Sequence, residues 1–197
     1  MKYRVFLSQF ARHPLELGTF TQSSRVLARR MAREIDGAHR VVELGAGLGP
    51  VTREILRRLP DNGQLICIER NGAFCRALRQ LDDPRLQVIH DDALQSEPYV
   101  AGANCVISGL PLTLFDEDKR RRLLDIMSKA PKCVQLQYTP RIALEMRTYF
   151  SNVKLKIVPW NIPPALLYVA TQAQPTPIRQ VPRRTCRSPL LLSRKNG

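Results

Sequence analysis

The chain has 197 residues and carries 31 Lys and Arg against 17 Asp and Glu, giving a formal net charge of +14 and a pI near 10.3. This charge favours anionic partners, either nucleic acid or a membrane surface that bears acidic lipid. The length suits one globular domain, and no apolar run approaches the roughly 20 residues that cross a bilayer, which argues against an integral membrane protein.

The cysteines and histidines argue against a disulfide framework and against a metal site. The five cysteines are an odd number and include no C-x-x-C pair, and three of them lie inside apolar runs. The three histidines have no acidic or thiol partners at ligand spacing. We therefore expect buried thiols, no metal and a reducing, cytoplasmic location.

Residues 1–36 are predicted to form amphipathic helices. Apolar side chains recur at helical spacing between Tyr3 and Phe10, with basic residues beside them. Four arginines follow on the next predicted helix: Arg25, Arg29, Arg30 and Arg33. A helix of this kind lies in the membrane interface with its basic side on anionic head groups, so we expect peripheral association with the inner membrane. The alternative is that the apolar stripe packs on the domain's own core.

From residue 40 onward, short β-rich runs alternate with helical patterns. The predicted strands are 40–44, 64–69, 86–90, 104–108, 133–138, 154–160 and 165–170, and the clearest predicted helices are 50–59, 72–81 and 116–130. This alternation indicates an α/β fold with a parallel sheet and helices on both faces. We assign residues 37–172 to this core, and residues 173–197, which are rich in Pro and Arg, to a disordered basic tail.

A glycine-rich loop follows the first predicted strand, in the sequence VVELGAGLGPVT (residues 41–52). Gly45, Gly47 and Gly49 fall where the strand turns into a helix, at the sheet edge where open α/β folds bind ligands. Glu69 ends the next strand 20 residues after Gly49, a distance at which a carboxylate takes ribose hydroxyls. Asp92, after the third strand, offers a carboxylate to an adenine amino group. Together they predict a nucleoside-binding crevice.

The loop does not suit a dinucleotide. It lacks the G-x-G-x-x-G spacing, and Pro50 at the first helical position withholds a backbone donor from a phosphate. Glu43, just before the loop, would repel phosphate and attract positive charge. S-adenosylmethionine combines adenosine with an ammonium and a sulfonium, so it fits this pattern.

These motifs resemble those of the class I S-adenosylmethionine-dependent methyltransferases. More narrowly, the segments FARHPLELGTFTQSSRVLARRMA, VISGLPLTLF, LQYTP and WNIPPALLYV resemble the bacterial phospholipid N-methyltransferases. The resemblance implies a Rossmann-like seven-stranded sheet, mostly parallel, with helices on both faces and the last strand antiparallel. It implies stepwise N-methylation of phosphatidylethanolamine towards phosphatidylcholine at a membrane surface. We expect a monomer.

The candidate site residues fall into three groups. For the cofactor they are Glu43, Gly45, Ala46, Gly47, Gly49, Glu69, Arg70, Asp91, Asp92, Ala93 and Ser108. For catalysis they are Tyr138, Ser108 and Leu110, because the loop after strand four can present backbone carbonyls to an amine and Tyr138 offers an oxygen. For the substrate they are Tyr3, Gly109, Pro111, Trp160 and Asn161. Asp91 stands where the family pattern has a glycine, which leaves open whether it or Asp92 meets the adenine.

Two other functions remain open from the sequence. ELGAGLGPVT also resembles the ribosomal RNA dimethyltransferases, and the charge suits RNA, so an RNA adenine N6-methyltransferase is the first alternative. Those enzymes carry an Asn/Asp-Leu-Pro-Tyr motif after strand four with a ring that stacks the target base. Residues 109–112 here, GLPL, have neither the amide nor the ring. The second alternative is a basic nucleotide-binding module without catalysis.

Overall fold

The protein is described here from a computed structural model that covers residues 23–159 and 164–172. One seven-stranded sheet runs through these residues in the order β3-β2-β1-β4-β5-β7-β6. Its strands are β1 (Arg40–Leu44), β2 (Gln64–Glu69), β3 (Leu86–His90), β4 (Cys105–Ser108), β5 (Lys132–Gln137), β6 (Asn152–Val158) and β7 (Ala165–Thr171). The strands β1 to β5 pair in parallel, whereas β7 runs antiparallel to both of its neighbours.

Helices cover both faces of the sheet. The helices are α1 (Ser23–Ala32), α2 (Pro50–Leu56), α3 (Gly72–Arg79), α4 (Glu97–Val100), α5 (Glu117–Ser128) and α6 (Ala143–Tyr149). Side chains of α1 to α3 share one buried cluster with residues of the sheet. Side chains of α4 to α6 share a second cluster on the opposite face. The predicted Rossmann-like architecture, with its antiparallel last strand, is therefore confirmed.

Local sequence accounts for where these elements begin and end. Pro50 takes the first position of α2, where its missing N–H costs nothing, and Asp116 caps α5 by accepting the Lys119 N–H at 2.9 Å. The inner strands β1 and β4 are buried along almost their whole length, as expected for parallel strands covered on both faces. Among the residues described, no helix is long and apolar enough to span a bilayer.

Several predicted boundaries need correction. The strand predicted at 154–160 is found at Asn152–Val158, and the one predicted at 133–138 is found at Lys132–Gln137. The helix α6, between β5 and β6, was not predicted. Tyr3, Trp160, Asn161 and the basic tail lie outside the described residues, so the predictions made for them remain predictions.

Candidate active site

The glycine loop joins β1 to α2 at the carboxyl edge of the sheet, next to the point where the chain order switches between β1 and β4. Gly45, Gly47 and Gly49 have φ values of +73°, +58° and +81°, in the left-handed region that side chains avoid. A Cβ on Gly45 would lie 2.6 Å from Leu110 Cδ2, whereas one on Gly47 would meet nothing within 4 Å. The loop is thus closed at Gly45 and open at Gly47, where a ligand has room.

Glu69 anchors this loop from the end of β2. Its Oε2 accepts the Gly47 N–H at 2.9 Å, and its Oε1 accepts the Asn71 N–H at 2.7 Å. Each carboxylate oxygen keeps further acceptor capacity after one such bond, so the group can also receive two ribose hydroxyls. The side chain is only 8% exposed, so it is largely shielded from solvent at the end of β2.

Glu43 lies beneath the loop, on the side of the sheet covered by α2. Its Oε2 accepts from the Thr52 hydroxyl at 2.7 Å and from the Cys67 thiol at 3.3 Å. Burial raises the pKa of Glu43 to about 7, against the opposing effect of these hydrogen bonds. Near neutral pH this carboxyl is therefore part protonated, and it supports the loop from the core side. Its predicted contact with the cofactor stays a prediction.

The turn after β3 places two carboxylates next to the end of β2. Asp91 Oδ1 accepts the Asp92 N–H at 2.7 Å, and Asp92 Oδ1 accepts the Leu94 N–H at 2.9 Å, which caps the short helical turn Ala93–Gln95. The backbone of Asp91 is tied to the end of β2, because its N–H donates to the Glu69 carbonyl at 3.2 Å. Both side chains keep a second oxygen, so the choice between them as adenine partner stays open.

The remaining cofactor candidates differ in exposure. Ala46 and Ser108 are buried, and the Ser108 hydroxyl accepts the Leu110 N–H at 3.3 Å. Arg70 is exposed, and its carbonyl accepts from His90 Nε2 at 3.0 Å. In this arrangement Arg70 holds the turn after β2 against β3, and the predicted cofactor contacts of Ala46, Ser108 and Arg70 stay predictions.

The loop after β4 holds the Leu110 carbonyl in a network of hydrogen bonds. The Leu110 carbonyl accepts from Gln135 Nε2 at 2.9 Å, from Gln137 Nε2 at 3.1 Å and from the Leu112 N–H at 2.9 Å. A carbonyl oxygen has two lone pairs, so this one is fully engaged. The predicted role of Leu110 in presenting a backbone carbonyl to an amine stays a prediction, and in this arrangement that carbonyl is occupied by donors of the protein itself. The Leu110 side chain closes the space over Gly45.

Tyr138 comes directly after β5 and is half-buried against the cluster on the α1 to α3 side. It therefore lies at the predicted edge of the sheet, and its catalytic role stays a prediction. Gly109 is exposed and Pro111 half-buried at the same edge, and their predicted substrate contacts stay predictions.

These features fit an adenosine ligand that carries positive charge. An open glycine turn, a carboxylate with spare acceptor capacity and a pair of aspartates lie at this end of the sheet, and Glu69, Gly47 and one of Asp91 and Asp92 are the residues that would hold the cofactor. With the seven-stranded topology, they define the protein as a class I S-adenosylmethionine-dependent methyltransferase.

Comparisons with known proteins agree with this class. The chain belongs to the ribosomal RNA adenine dimethylase family, whose model matches residues 22–136. It is 31% identical over 178 residues to an ornithine lipid N-methyltransferase of Singulisphaera acidiphila, covering 83% of this chain and 93% of that protein. It is 30% identical over 136 residues to the ribosomal RNA small subunit methyltransferase A of Chlorobaculum tepidum, covering 65% of this chain and 48% of that protein.

Solved structures share the fold. The N-methyltransferase NodS from Bradyrhizobium japonicum matches with a TM-score of 0.65 at 14% identity, covering 81% of this chain and 100% of that chain. The N-terminal domain of EvdMO1 with SAH bound matches with a TM-score of 0.62 at 11% identity, covering 78% of this chain and 82% of that chain. At such identities the likeness extends to the fold alone.

Sequence reasoning missed the residues that hold this site from behind. Thr52 and Cys67 bond Glu43, Asn71 caps α3 with its side chain, and Gln135 and Gln137 bind the Leu110 carbonyl. A signal was available for the two glutamines, since polar residues at i and i+2 of an apolar strand share one face. No comparable signal marks Thr52 or Cys67, because their roles depend on which strands become neighbours.

Proposed function

We propose that the protein transfers a methyl group from S-adenosylmethionine to the primary amine of a membrane lipid head group, as found in phosphatidylethanolamine or an ornithine lipid. The observation that carries the proposal is the extent of the match to the ornithine lipid N-methyltransferase, which spans 93% of that protein. The match to the ribosomal RNA methyltransferase from Chlorobaculum spans only 48% of its length.

The loop after β4 supports a lipid amine over an RNA base. Enzymes that methylate a base in RNA need an exposed ring on which the extruded base can stack. Leu112 takes the position of that ring, and it is aliphatic and fully buried in the cluster beneath α5. Gly109, in the position of the amide, has no side chain with which to bind the amino group.

The charge of the chain supports a site at an anionic surface. The net charge is +14, and α1 together with the turn after it exposes Arg25, Arg29, Arg30 and Arg33. Arg29 lies 3.5 Å from Glu54 of α2 and so is partly neutralised. Basic side chains near an anionic leaflet contribute about 1 kcal/mol each, which suits reversible, salt-sensitive association of the protein with the inner membrane face.

For methyl transfer the protein mainly has to position the amine against the cofactor and exclude water. The bound cofactor supplies a methyl group on a sulfonium centre. The lone pair of the neutral amine forms the new C–N bond as the C–S bond breaks, the sulfur leaves as a thioether, and the resulting ammonium later releases a proton to solvent. Because a free amine has a pKa of about 10, the crevice favours reaction by desolvating the amine, which lowers its pKa.

Incubation with S-adenosylmethionine labelled in the methyl group tests the proposal. Vesicles containing phosphatidylethanolamine, vesicles containing ornithine lipid, and purified small ribosomal subunits are assayed separately. We expect label in the lipid of one or both vesicle types and none above background in RNA. Glu69→Ala serves as the control that removes cofactor binding. Label confined to RNA would overturn the proposal.

A further inference from the structure

Polar side chains line one face of β5 and its continuation beside the loop after β4. Gln135, Gln137 and Thr139 occupy alternate positions in extended backbone, so they project to the same face of the sheet. In the register of the sheet, Gln135 lies opposite Ser108, the last residue of β4. Both glutamines are almost completely buried, at 0% and 3% exposure. A buried strand rarely carries such a row without a reason.

The hydrogen bonding of this row is unbalanced. The Leu110 carbonyl receives three donors, from Gln135, Gln137 and Leu112, although it has only two lone pairs. Close by on the same face, Gln135 Oε1 and Thr139 Oγ1 are buried and have no hydrogen-bond partner. Leaving a buried acceptor unpaired is unfavourable, so native proteins seldom tolerate two of them so close in the chain. The Leu110 carbonyl therefore has more donors than it can accept, while Gln135 Oε1 and Thr139 Oγ1 have none.

A ligand with N–H groups would resolve this imbalance. We propose that Gln135, Gln137 and Thr139 form the subsite that receives the acceptor's amino group. Its N–H bonds would go to Gln135 Oε1 and Thr139 Oγ1, and the crowded Leu110 carbonyl would release one amide as the ligand enters. This inference names the acceptor pocket of the proposed function and rests on it for the identity of the lipid.

The chemical character of the row suits an amine that must react. Its acceptors are amide and hydroxyl oxygens, and none is a carboxylate. Uncharged acceptors orient a neutral amine without favouring its ammonium form as strongly as a carboxylate would. The nitrogen therefore keeps its lone pair for attack. The row also lies next to the cofactor loop, since the same Leu110 packs over Gly45.

Sinefungin allows a test that needs no lipid, because this cofactor analogue carries an amine in place of the transferred methyl group. Its affinity is measured by calorimetry alongside that of S-adenosylhomocysteine, which lacks the amine. In Gln135→Leu and in Thr139→Val we expect the ratio of the two affinities to fall by about fivefold, the effect of one hydrogen bond. S-adenosylhomocysteine affinity itself should stay within about twofold. Thr139→Ser should restore the ratio.

Gln172→Leu is the matched control. The Gln135 amide donates to two carbonyls, those of Leu110 at 2.9 Å and Leu136 at 2.7 Å. The Gln172 amide likewise donates to two carbonyls, those of Ser128 at 2.9 Å and Tyr149 at 2.8 Å, but at the opposite edge of the sheet. This variant should lose stability as Gln135→Leu does and keep the wild-type ratio.

If the ratio of sinefungin to S-adenosylhomocysteine affinity is unchanged in both Gln135→Leu and Thr139→Val, the proposed subsite is wrong. If Gln135→Leu does not fold, the result for Thr139→Val decides alone. A lowered ratio together with unlabelled lipid would leave the subsite standing and remove the lipid proposal.

Discussion

Replacing Glu43 by Gln should stabilise the protein in a way that depends on pH. The carboxyl is 3% exposed, and its burial raises the pKa from 4.5 to about 7. Between these values the unfolded chain releases the proton while the folded protein retains it, so wild-type stability falls as pH rises through this window. At 1.36 kcal/mol per pKa unit, the full loss above the window is on the order of 3 kcal/mol.

The glutamine side chain has nearly the same shape, and its oxygen can still accept from Thr52 and Cys67. Urea unfolding of wild type and Glu43→Gln at about pH 5 and about pH 8 measures the difference. We expect similar stability at the lower pH and an advantage for the variant at the higher pH, on the order of 3 kcal/mol.

Thr52→Val tests the same network from the other side. The Thr52 hydroxyl donates to Glu43 at 2.7 Å, and this bond lowers the pKa of the carboxyl. Its removal should extend the loss of stability to higher pH. An advantage of Glu43→Gln that is the same at both pH values would refute the reasoning, because the carboxyl would then not be retaining a proton in the fold.

Three further outcomes follow from the site. Gly45→Ala and Gly102→Ala should each lower the free energy of unfolding by about 1–2 kcal/mol, because both glycines have left-handed φ. Only Gly45→Ala should weaken the binding of S-adenosylhomocysteine, because its Cβ displaces Leu110. Equal binding by both variants would contradict this. Glu69→Ala should abolish calorimetric binding of S-adenosylmethionine, and retained affinity would disprove the placement of the ribose. Deletion of residues 1–12 should abolish salt-sensitive co-flotation with anionic vesicles, and a truncated protein that still floats would remove the membrane-helix hypothesis.

The sequence predicts best those parts of the fold that depend on short segments. β1, β2 and β3 are found at the predicted residues, because each is a compact apolar run bounded by turn residues. The helix α6 was missed although its signal is present. Ile142, Met146 and Phe150 recur every fourth residue and are all buried.

Within the candidate site, too, the features set by short segments could be predicted and the contacts between distant strands could not. The glycine loop and Glu69 are readable because their chemistry needs particular residue types at fixed spacing from strand ends. The hydrogen bonds to the Leu110 carbonyl could not be predicted, because they require two side chains of β5 to reach across to the loop after β4. Pairing between strands distant in sequence decides such contacts, and one sequence does not encode it as a local pattern.

A competition in a single tube tests the central claim most directly. Phosphatidylethanolamine vesicles, ornithine lipid vesicles and small ribosomal subunits are mixed in excess with the protein and S-adenosylmethionine labelled in the methyl group, and lipid and RNA are then separated and counted. We predict that the label partitions into lipid, that base hydrolysis and chromatography place it on the head-group nitrogen, and that Glu69→Ala leaves both fractions at background. Label recovered in RNA, with the lipid fraction at the level of the Glu69→Ala control, would contradict the account.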